Sequence, residues 1–266
     1  MRLVASLARL FARVFLRRRL PRIGAVLCLL VPLLLASRQV SGDGQAMGTL
    51  PMAEALLTMS VLLTGFGALL GSVAIAEDYQ RGSLRSLITR PVRGSQIFLA
   101  YALVLTTFVL VLASLGTWLC SLVAGAGGFG PVSVDGYEVL SAAELSKVAQ
   151  SVRFLPMMAI AASPVLGLAI SALTRDSASA VALSMLILAA PSVMAIAGEA
   201  TGIADPLAVA RAPAELLLQY AKGVTIDGAK LESGAFRNWT LQAGALWLAG
   251  SAIIGSLLLE YREHRS

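Results

Sequence analysis

Residues 55–76 read ALLTMSVLLTGFGALLGSVAIA, and residues 77–93 read EDYQRGSLRSLITRPVR. The first stretch carries no charged side chain, and a helix of about 20 apolar residues is long enough to cross a hydrocarbon core. The second stretch is rich in acids and then in arginines. This order predicts a membrane-spanning helix that leads into a short polar loop.

The composition of the whole chain predicts a membrane protein. Of its 266 residues, 57% are hydrophobic and 14% are charged, whereas a soluble domain carries about 25% charged residues. We therefore predict an all-α, polytopic membrane protein that forms a single domain over residues 1–266. Six apolar segments predict six transmembrane helices. These spans lie at about residues 21–38, 54–76, 96–124, 154–174, 177–198 and 238–259.

Residues 1–20 have a different pattern, with apolar side chains at helical spacing on one side and arginines on the other. This pattern predicts an amphipathic helix that lies in the plane of the lipid headgroups. Amphipathic segments near 141–153 and 205–220 predict two short surface helices, one before the fourth span and one before the sixth. The second of these helices falls within a long loop over residues 199–237.

The positions of the basic residues predict the orientation of the chain. Arginines concentrate in the N-terminal segment, in residues 77–93, at Arg175 and in the C-terminal tail. Under the positive-inside rule, both termini and the 77–93 loop are cytoplasmic, and residues 199–237 form an external loop.

Several classes of function are disfavoured by the sequence. His264 is the single histidine, and the spans carry no paired carboxylates, so we predict no catalytic residues and no metal site. No obvious charge interrupts the interior of the spans, which also disfavours an ion-coupled transporter. The net charge of +6 is distributed between apolar runs, which argues against nucleic acid as a partner.

Small residues recur at four-residue spacing within the predicted spans. Gly67 and Gly71 form such a pair in the second span, Ser163 and Gly167 in the fourth, and Gly255 follows a serine in the sixth. Small side chains let helix backbones approach closely in a membrane. We therefore predict that these residues pack helix against helix.

The 77–93 loop contains an apolar edge formed by Leu84, Leu87 and Ile88, and Pro91 ends the segment. Such a pattern predicts a short amphipathic helix on the cytoplasmic surface. Two interpretations follow from the residues alone. The helix either anchors two spans at the membrane surface or docks a soluble partner.

The loop resembles the permease subunits of type-2 ABC transporters. That family has an acid, then Gly-Thr-Leu, a leucine pair, and Pro-Val before a basic or small residue. Asp78, Gly82-Ser83-Leu84, Leu87-Ile88 and Pro91-Val92-Arg93 follow the same order, with Asp in place of the commoner Glu and Ser in place of Thr. The resemblance implies a cytoplasmic coupling helix after the second span. Glu77 and Arg81 are added to this set from their charge alone. The expected ATPase-coupling residues are Glu77, Asp78, Arg81, Gly82, Ser83, Leu84, Leu87, Pro91 and Arg93.

The resemblance implies a non-catalytic permease subunit of an ATP-driven exporter in the plasma (inner) membrane. Its expected partners are a separate ABC ATP-binding subunit, a second copy of itself or a related permease, and membrane lipids. Because the chain has no GxxxxGK[ST] phosphate loop, we expect it to bind no cofactor and its partner subunit to use ATP and Mg.

Two alternative functions remain open from the sequence. The chain could belong to a type-2 permease that transmits ATP-driven motion to an outer-side partner without moving a solute. It could instead be a membrane structural or assembly protein that has no ATPase.

Overall fold

The computed structural model describes residues 2–40, 49–80, 93–126, 132–134, 137–174, 176–196, 205–222 and 234–263. Within these ranges the chain forms a helical bundle with one hairpin of two short strands. The elements are α1 (Arg2–Arg17), α2 (Arg19–Val40), α3 (Thr49–Gln80), α4 (Gly94–Ala126), β1 (Val132–Val134), β2 (Tyr137–Leu140), α5 (Ala142–Val152), α6 (Met157–Leu173), α7 (Ser177–Ile196), α8 (Pro206–Ala221) and α9 (Gly234–Glu263).

Five of the described helices, α2, α3, α4, α7 and α9, are long and apolar enough to cross a membrane. The predicted fourth span coincides with α6, which is apolar but has only 17 residues. That length is at the lower limit of about 17–25 residues for a membrane-crossing helix. The chain is therefore a largely helical, multi-pass membrane protein, and the count of six crossings stays a prediction.

Three features differ from the sequence-based expectation. The antiparallel pair β1 and β2 was not predicted, because strands of three and four residues are too short to produce a periodic signal. Helix α3 continues to Gln80 instead of ending near residue 76. Helix α9 begins at Gly234 instead of near 238. A charge-free segment marks the part of a helix that crosses the hydrocarbon core. The helix itself can extend beyond this segment by a turn or more.

Helix α6 forms the centre of the bundle and packs against α3, α4 and α9. Its residues from Ala159 to Ala172 are all buried. Pro164 has no N–H, so the carbonyl of Ile160 loses its helical partner. The hydroxyl of Ser163 donates a hydrogen bond to this carbonyl at 2.8 Å. A proline is thus accommodated in a buried helix because the preceding residue satisfies the freed carbonyl.

Helices α3 and α6 approach each other so closely that glycine is required at the contact. A Cβ atom at Gly71 would lie 2.7 Å from the backbone nitrogen of Leu168, and one at Gly167 would lie 2.9 Å from the backbone nitrogen of Ser72. A Cβ at Gly67 would collide with the Ser163 hydroxyl. The structure therefore brings these predicted packing residues together in one interface.

Two further contacts involve small residues of the same helices. The hydroxyl of Ser171 in α6 accepts a hydrogen bond from the backbone N–H of Ala76 in α3 at 2.8 Å. Gly255 of α9 lies against the ring of Phe98, and a Cβ there would also approach that of Ala169 to 3.0 Å. Small residues thus position α9 against both α4 and α6.

The two ends of the bundle have different neighbours. Helix α1, the last turn of α3, the start of α4, the α6–α7 connection and the end of α9 meet at one end, which we call the Gln80 end. At the opposite end, α5 and α8 cover the start of α3 around Met52. There the buried Asp205 caps α8 through the N–H groups of Leu207 and Ala208 and accepts a 2.9 Å hydrogen bond from Ser192 of α7.

We predict that Gly71→Ala destabilises the bundle by about 1–3 kcal/mol, because the added methyl group meets the backbone of α6. The matched control is Gly65→Ala in the same helix, where nothing lies within 4 Å of the added Cβ. Thermal unfolding of the purified protein in detergent measures both. Equal unfolding temperatures for the two variants would refute the close approach of α3 and α6.

Candidate functional site

The candidate site begins with Glu77 and Asp78, which lie in the last turns of α3. The sequence placed them at the start of a loop, but the structure makes them part of the long α3 helix. Their positions are therefore coupled rigidly to the membrane-spanning part of that helix. The predicted coupling residues Arg81, Gly82, Ser83, Leu84, Leu87 and Pro91 lie outside the described residues.

Arg93 is the one remaining predicted coupling residue that the structure describes. Its side chain is exposed, and it directly precedes α4. The carbonyl of Arg93 accepts hydrogen bonds from the backbone N–H groups of Gln96 at 2.9 Å and Ile97 at 3.3 Å. Its own N–H donates to the Gln96 side chain at 3.4 Å. These contacts cap the start of α4, so Arg93 is fixed at the other boundary of the 81–92 segment.

Arg18 joins the two acids at the end of α3. It lies at the break between α1 and α2, and its Nη1 donates to Glu77 Oε2 at 2.7 Å while Nη2 donates to Asp78 Oδ1 at 2.8 Å. The three side chains are between 15% and 23% exposed. The planar guanidinium fork can serve two carboxylates at once, which a lysine cannot do with the same geometry.

Tyr101 of α4 completes this charged cluster from another helix. Its hydroxyl donates a hydrogen bond to Asp78 Oδ2. The Tyr101 ring stacks on Phe11 of α1 with a centroid separation of 4.0 Å. Arg18, Glu77, Asp78 and Tyr101 therefore connect the α1–α2 junction, α3 and α4 at one point, and the Phe11 ring adds α1.

A cavity of about 390 Å³ lies beside this cluster, and Arg18, Glu77, Asp78 and Tyr101 all contribute to its wall. The rest of the wall comes largely from apolar side chains of α1 and α3. Solvent or headgroups in such a space screen the ion pairs. The attraction between Arg18 and the two acids is therefore weaker than it would be in a fully buried pair. The cluster connects helices in a defined geometry and also has a polar face open to small groups.

A second polar junction links α3 to α7. The Gln80 side chain donates to Asp176 Oδ1 at 2.7 Å and accepts from the Ser177 hydroxyl at 3.4 Å. Asp176 also caps α7, since it accepts from the Ser179 N–H at 2.9 Å. At the same end, Ser95 of α4 donates to Glu260 of α9 at 2.7 Å. Polar side chains thus connect most of the helices that meet at the Gln80 end.

The pKa of Asp176 is lowered from its ordinary value of 3.8. The largest cause is the hydrogen bond from the Ser179 N–H, followed by the Ser179 hydroxyl. Both donors favour the charged carboxylate at the positive end of a helix.

Arg18 and Tyr101 were not predicted as site residues. Arg18 was one of many N-terminal arginines, and Tyr101 lies inside an apolar span. Arg18 and its acidic partners are 59 and 60 residues apart, so no local pattern indicates the pairing. The one available signal was Tyr101 itself, whose hydroxyl near the end of a span requires a polar partner.

The fold and the site together define a multi-pass membrane protein in which charged groups at one end connect the helices. The protein-family model for the ABC-2 family transporter protein matches residues 16–191, which is well over half of the chain. The chain therefore belongs to the ABC-2 transporter family, whose members are membrane permease subunits that are generally non-catalytic and work with an ATP-binding subunit. The matched range includes Arg18, Glu77, Asp78 and Tyr101. A comparison with curated proteins gave no match.

We predict that Arg18→Gln lowers the stability of the protein by about 1–3 kcal/mol, because two partly buried carboxylates lose the guanidinium that bridges them. Arg18→Lys should recover part of this loss, since it keeps the charge without the fork. Arg17→Gln is the control, because Arg17 is the exposed neighbour. Thermal unfolding in detergent distinguishes the three variants, and an Arg18→Gln protein as stable as the control contradicts the role of the cluster.

We predict a pH-dependent contribution from Asp176. Its folded pKa lies below the unfolded value, so the stabilisation is present above the unfolded pKa and is lost as pH falls through the folded pKa. The difference in unfolding temperature between wild type and Asp176→Ala should be constant at about pH 5–7 and shrink below about pH 4. A difference that persists unchanged to about pH 2 would show that the charge of Asp176 does not contribute.

Proposed function

We propose that this chain is the permease subunit of an ATP-driven ABC exporter. Two copies, or one copy and a related permease, form the translocation pathway, and separate ATP-binding subunits hydrolyse MgATP. The family membership supports the general class. The observation that carries the mechanism is the Arg18 cluster, which joins the α1–α2 junction and α4 to two acids at the end of α3, shortly before the 81–92 segment.

In this proposal, residues 81–92 dock on the ATP-binding subunit and move with it when ATP binds. Because the segment follows α3 directly, its displacement acts on the end of a helix that packs against α2, α4, α6, α7 and α8. The Arg18 cluster extends the same displacement to α1 and α4. ATP-bound and ATP-free subunits must contact the loop differently, since only differential contact shifts a conformational equilibrium.

The Gln80–Asp176 junction offers a second route to α7. Gln80 is the last residue of α3, and Asp176 caps α7 on the other side of the junction. A shift of α3 at this end therefore pulls on a direct hydrogen bond to the start of α7. Among the described elements, helix α7 packs on α3, α6 and α8, and its exposed face includes Leu186 and Val193.

The proposed orientation places the Gln80 end in the cytoplasm of a cell bounded by the plasma (inner) membrane. Arg9, Arg13 and Arg17 lie on α1 at this end, and the arginine-rich 81–92 segment starts there. The positive-inside rule supports this direction. With α6 as the fourth of six crossings, both termini are cytoplasmic, and α5 and α8 lie on the outer side.

Two substitutions can distinguish docking of the ATP-binding subunit from transmission of its displacement to the membrane helices. We expect Leu84→Asp to abolish co-purification of an ABC ATP-binding subunit, because it places a charge on the apolar edge of the docking segment. We expect Arg18→Gln to retain that subunit and to lose permease-dependent stimulation of ATP hydrolysis. Mass spectrometry of affinity-purified complexes and an ATPase assay measure the two properties.

The control for Leu84→Asp is Gln150→Asp, which introduces the same charge at an exposed position of α5 at the opposite end. Retention of the ATP-binding subunit by Leu84→Asp would refute docking through this segment. Absence of any ATPase from wild-type preparations would favour the membrane assembly protein without an ATPase.

A second candidate function, transmission of motion to an outer-side partner, is favoured by one observation. Val148 of α5 and Val209 and Leu217 of α8 share a core cluster with the start of α3. Movement of α3 therefore reaches two surface helices at the end opposite Gln80. A photo-crosslinking residue at Gln150 that captures a protein partner in an ATP-dependent manner would support this candidate over solute export.

A further inference from the structure

An apolar groove of about 440 Å³ runs between α1 and α4 at the Gln80 end, separate from the Arg18 cluster. Its wall is apolar except for Thr107 and the side chain of Arg9. The lining residues from α1 are Ala5, Ala8, Arg9, Ala12, Phe15 and Leu16, and those from α4 are Leu103, Val104, Thr107 and Phe108.

The groove exists because α1 presents alanines to α4 beside two aromatic contacts. Phe11 stacks on Tyr101, and Phe15 packs edge-on against Phe108 with a centroid separation of 5.1 Å. These contacts hold α1 at a fixed distance from α4. The alanine side chains are too short to fill the remaining space, so a channel is left beside the aromatic pairs.

The groove continues onto apolar surface of α4. Leu103 forms part of its wall and is 56% exposed, and Val111, two turns further along the same face, is 59% exposed. In a membrane-spanning helix such a face meets lipid chains. An alkyl chain seated between α1 and α4 can therefore extend along α4 towards the centre of the bilayer.

The charge beside the groove is positive. Arg9 contributes to the groove wall, and Arg13 and Arg17 follow at one-turn intervals along α1, all with exposed side chains. Among the described residues, none of these three arginines pairs with a carboxylate. An uncompensated guanidinium at the mouth of an apolar groove complements a phosphodiester that carries an alkyl chain.

From this combination we infer that the groove is a binding site for an anionic phospholipid. One acyl chain occupies the space between α1 and α4, and Arg9 binds the headgroup phosphate. The lipid would hold α1 against α4 and so support the geometry of the neighbouring Arg18 cluster. The inference requires only that the chain is embedded in a membrane, and it does not depend on ATPase docking.

The test uses the purified full chain in detergent and measures binding of phosphatidylglycerol by native mass spectrometry. We expect Arg9→Gln to weaken binding of the first phosphatidylglycerol molecule about tenfold, because the headgroup phosphate loses one charge-assisted hydrogen bond. Arg13→Gln is the matched control, because it removes the same charge one turn away without altering the groove wall. We expect the control to bind as wild type does.

Two further measurements distinguish lipid binding in the groove from non-specific attraction of anionic lipid to the arginines. Ala12→Phe should weaken binding by filling the groove while leaving all arginines in place. Phosphatidylcholine, which has the same chains and no net charge, should bind wild type more weakly than phosphatidylglycerol. Equal losses in Arg9→Gln and Arg13→Gln, unchanged binding by Ala12→Phe, or equal binding of the two lipids would each overturn the inference.

Discussion

The close approach of α3 and α6 is the constraint on which the rest of the bundle depends. Apolar surface supplies little driving force between helices in a lipid environment, so association requires backbone contact and interhelical hydrogen bonds. Gly71 and Gly167 remove the side chains that would block this contact, and Ser171 accepts a hydrogen bond from the α3 backbone. With α6 buried against it, α3 also packs against α2, α4, α7 and α8.

The same helix also carries the charged groups of the candidate site. The glycine contacts hold the middle of α3, and Glu77, Asp78 and Gln80 at its end bind Arg18, Tyr101 and Asp176. In the proposed mechanism, packing in the middle and polar contacts at the end let α3 transmit a displacement along its axis. Polar contacts at a partly exposed end can exchange partners at lower cost than a packed core can rearrange. This division suits a subunit that is moved from one end.

Sequence patterns indicated two residues of the candidate cluster, Glu77 and Asp78, and did not indicate the others for a physical reason. Glu77 and Asp78 were identified because they begin a charged segment with a recognisable order of residues. Arg18 and Tyr101 belong to the same cluster, yet their partners are distant in sequence and nothing in local periodicity specifies which charges meet. The end of α3 was also placed too early, because the first charged residue marks the edge of the apolar segment and the helix continues beyond it.

The sequence by itself determined the class of the protein. Its long apolar runs require helices, because only a helix satisfies every backbone polar group within a single segment in lipid. The loop motif indicated the family, and the glycine and serine spacing indicated which faces could pack. Only the tertiary structure decided that α6 is the central helix, that α1 lies against α4 and leaves a groove, and that Arg18 joins the α1–α2 junction to Glu77 and Asp78 of α3. These outcomes depend on how several helices share one limited volume, and no single segment contains that information.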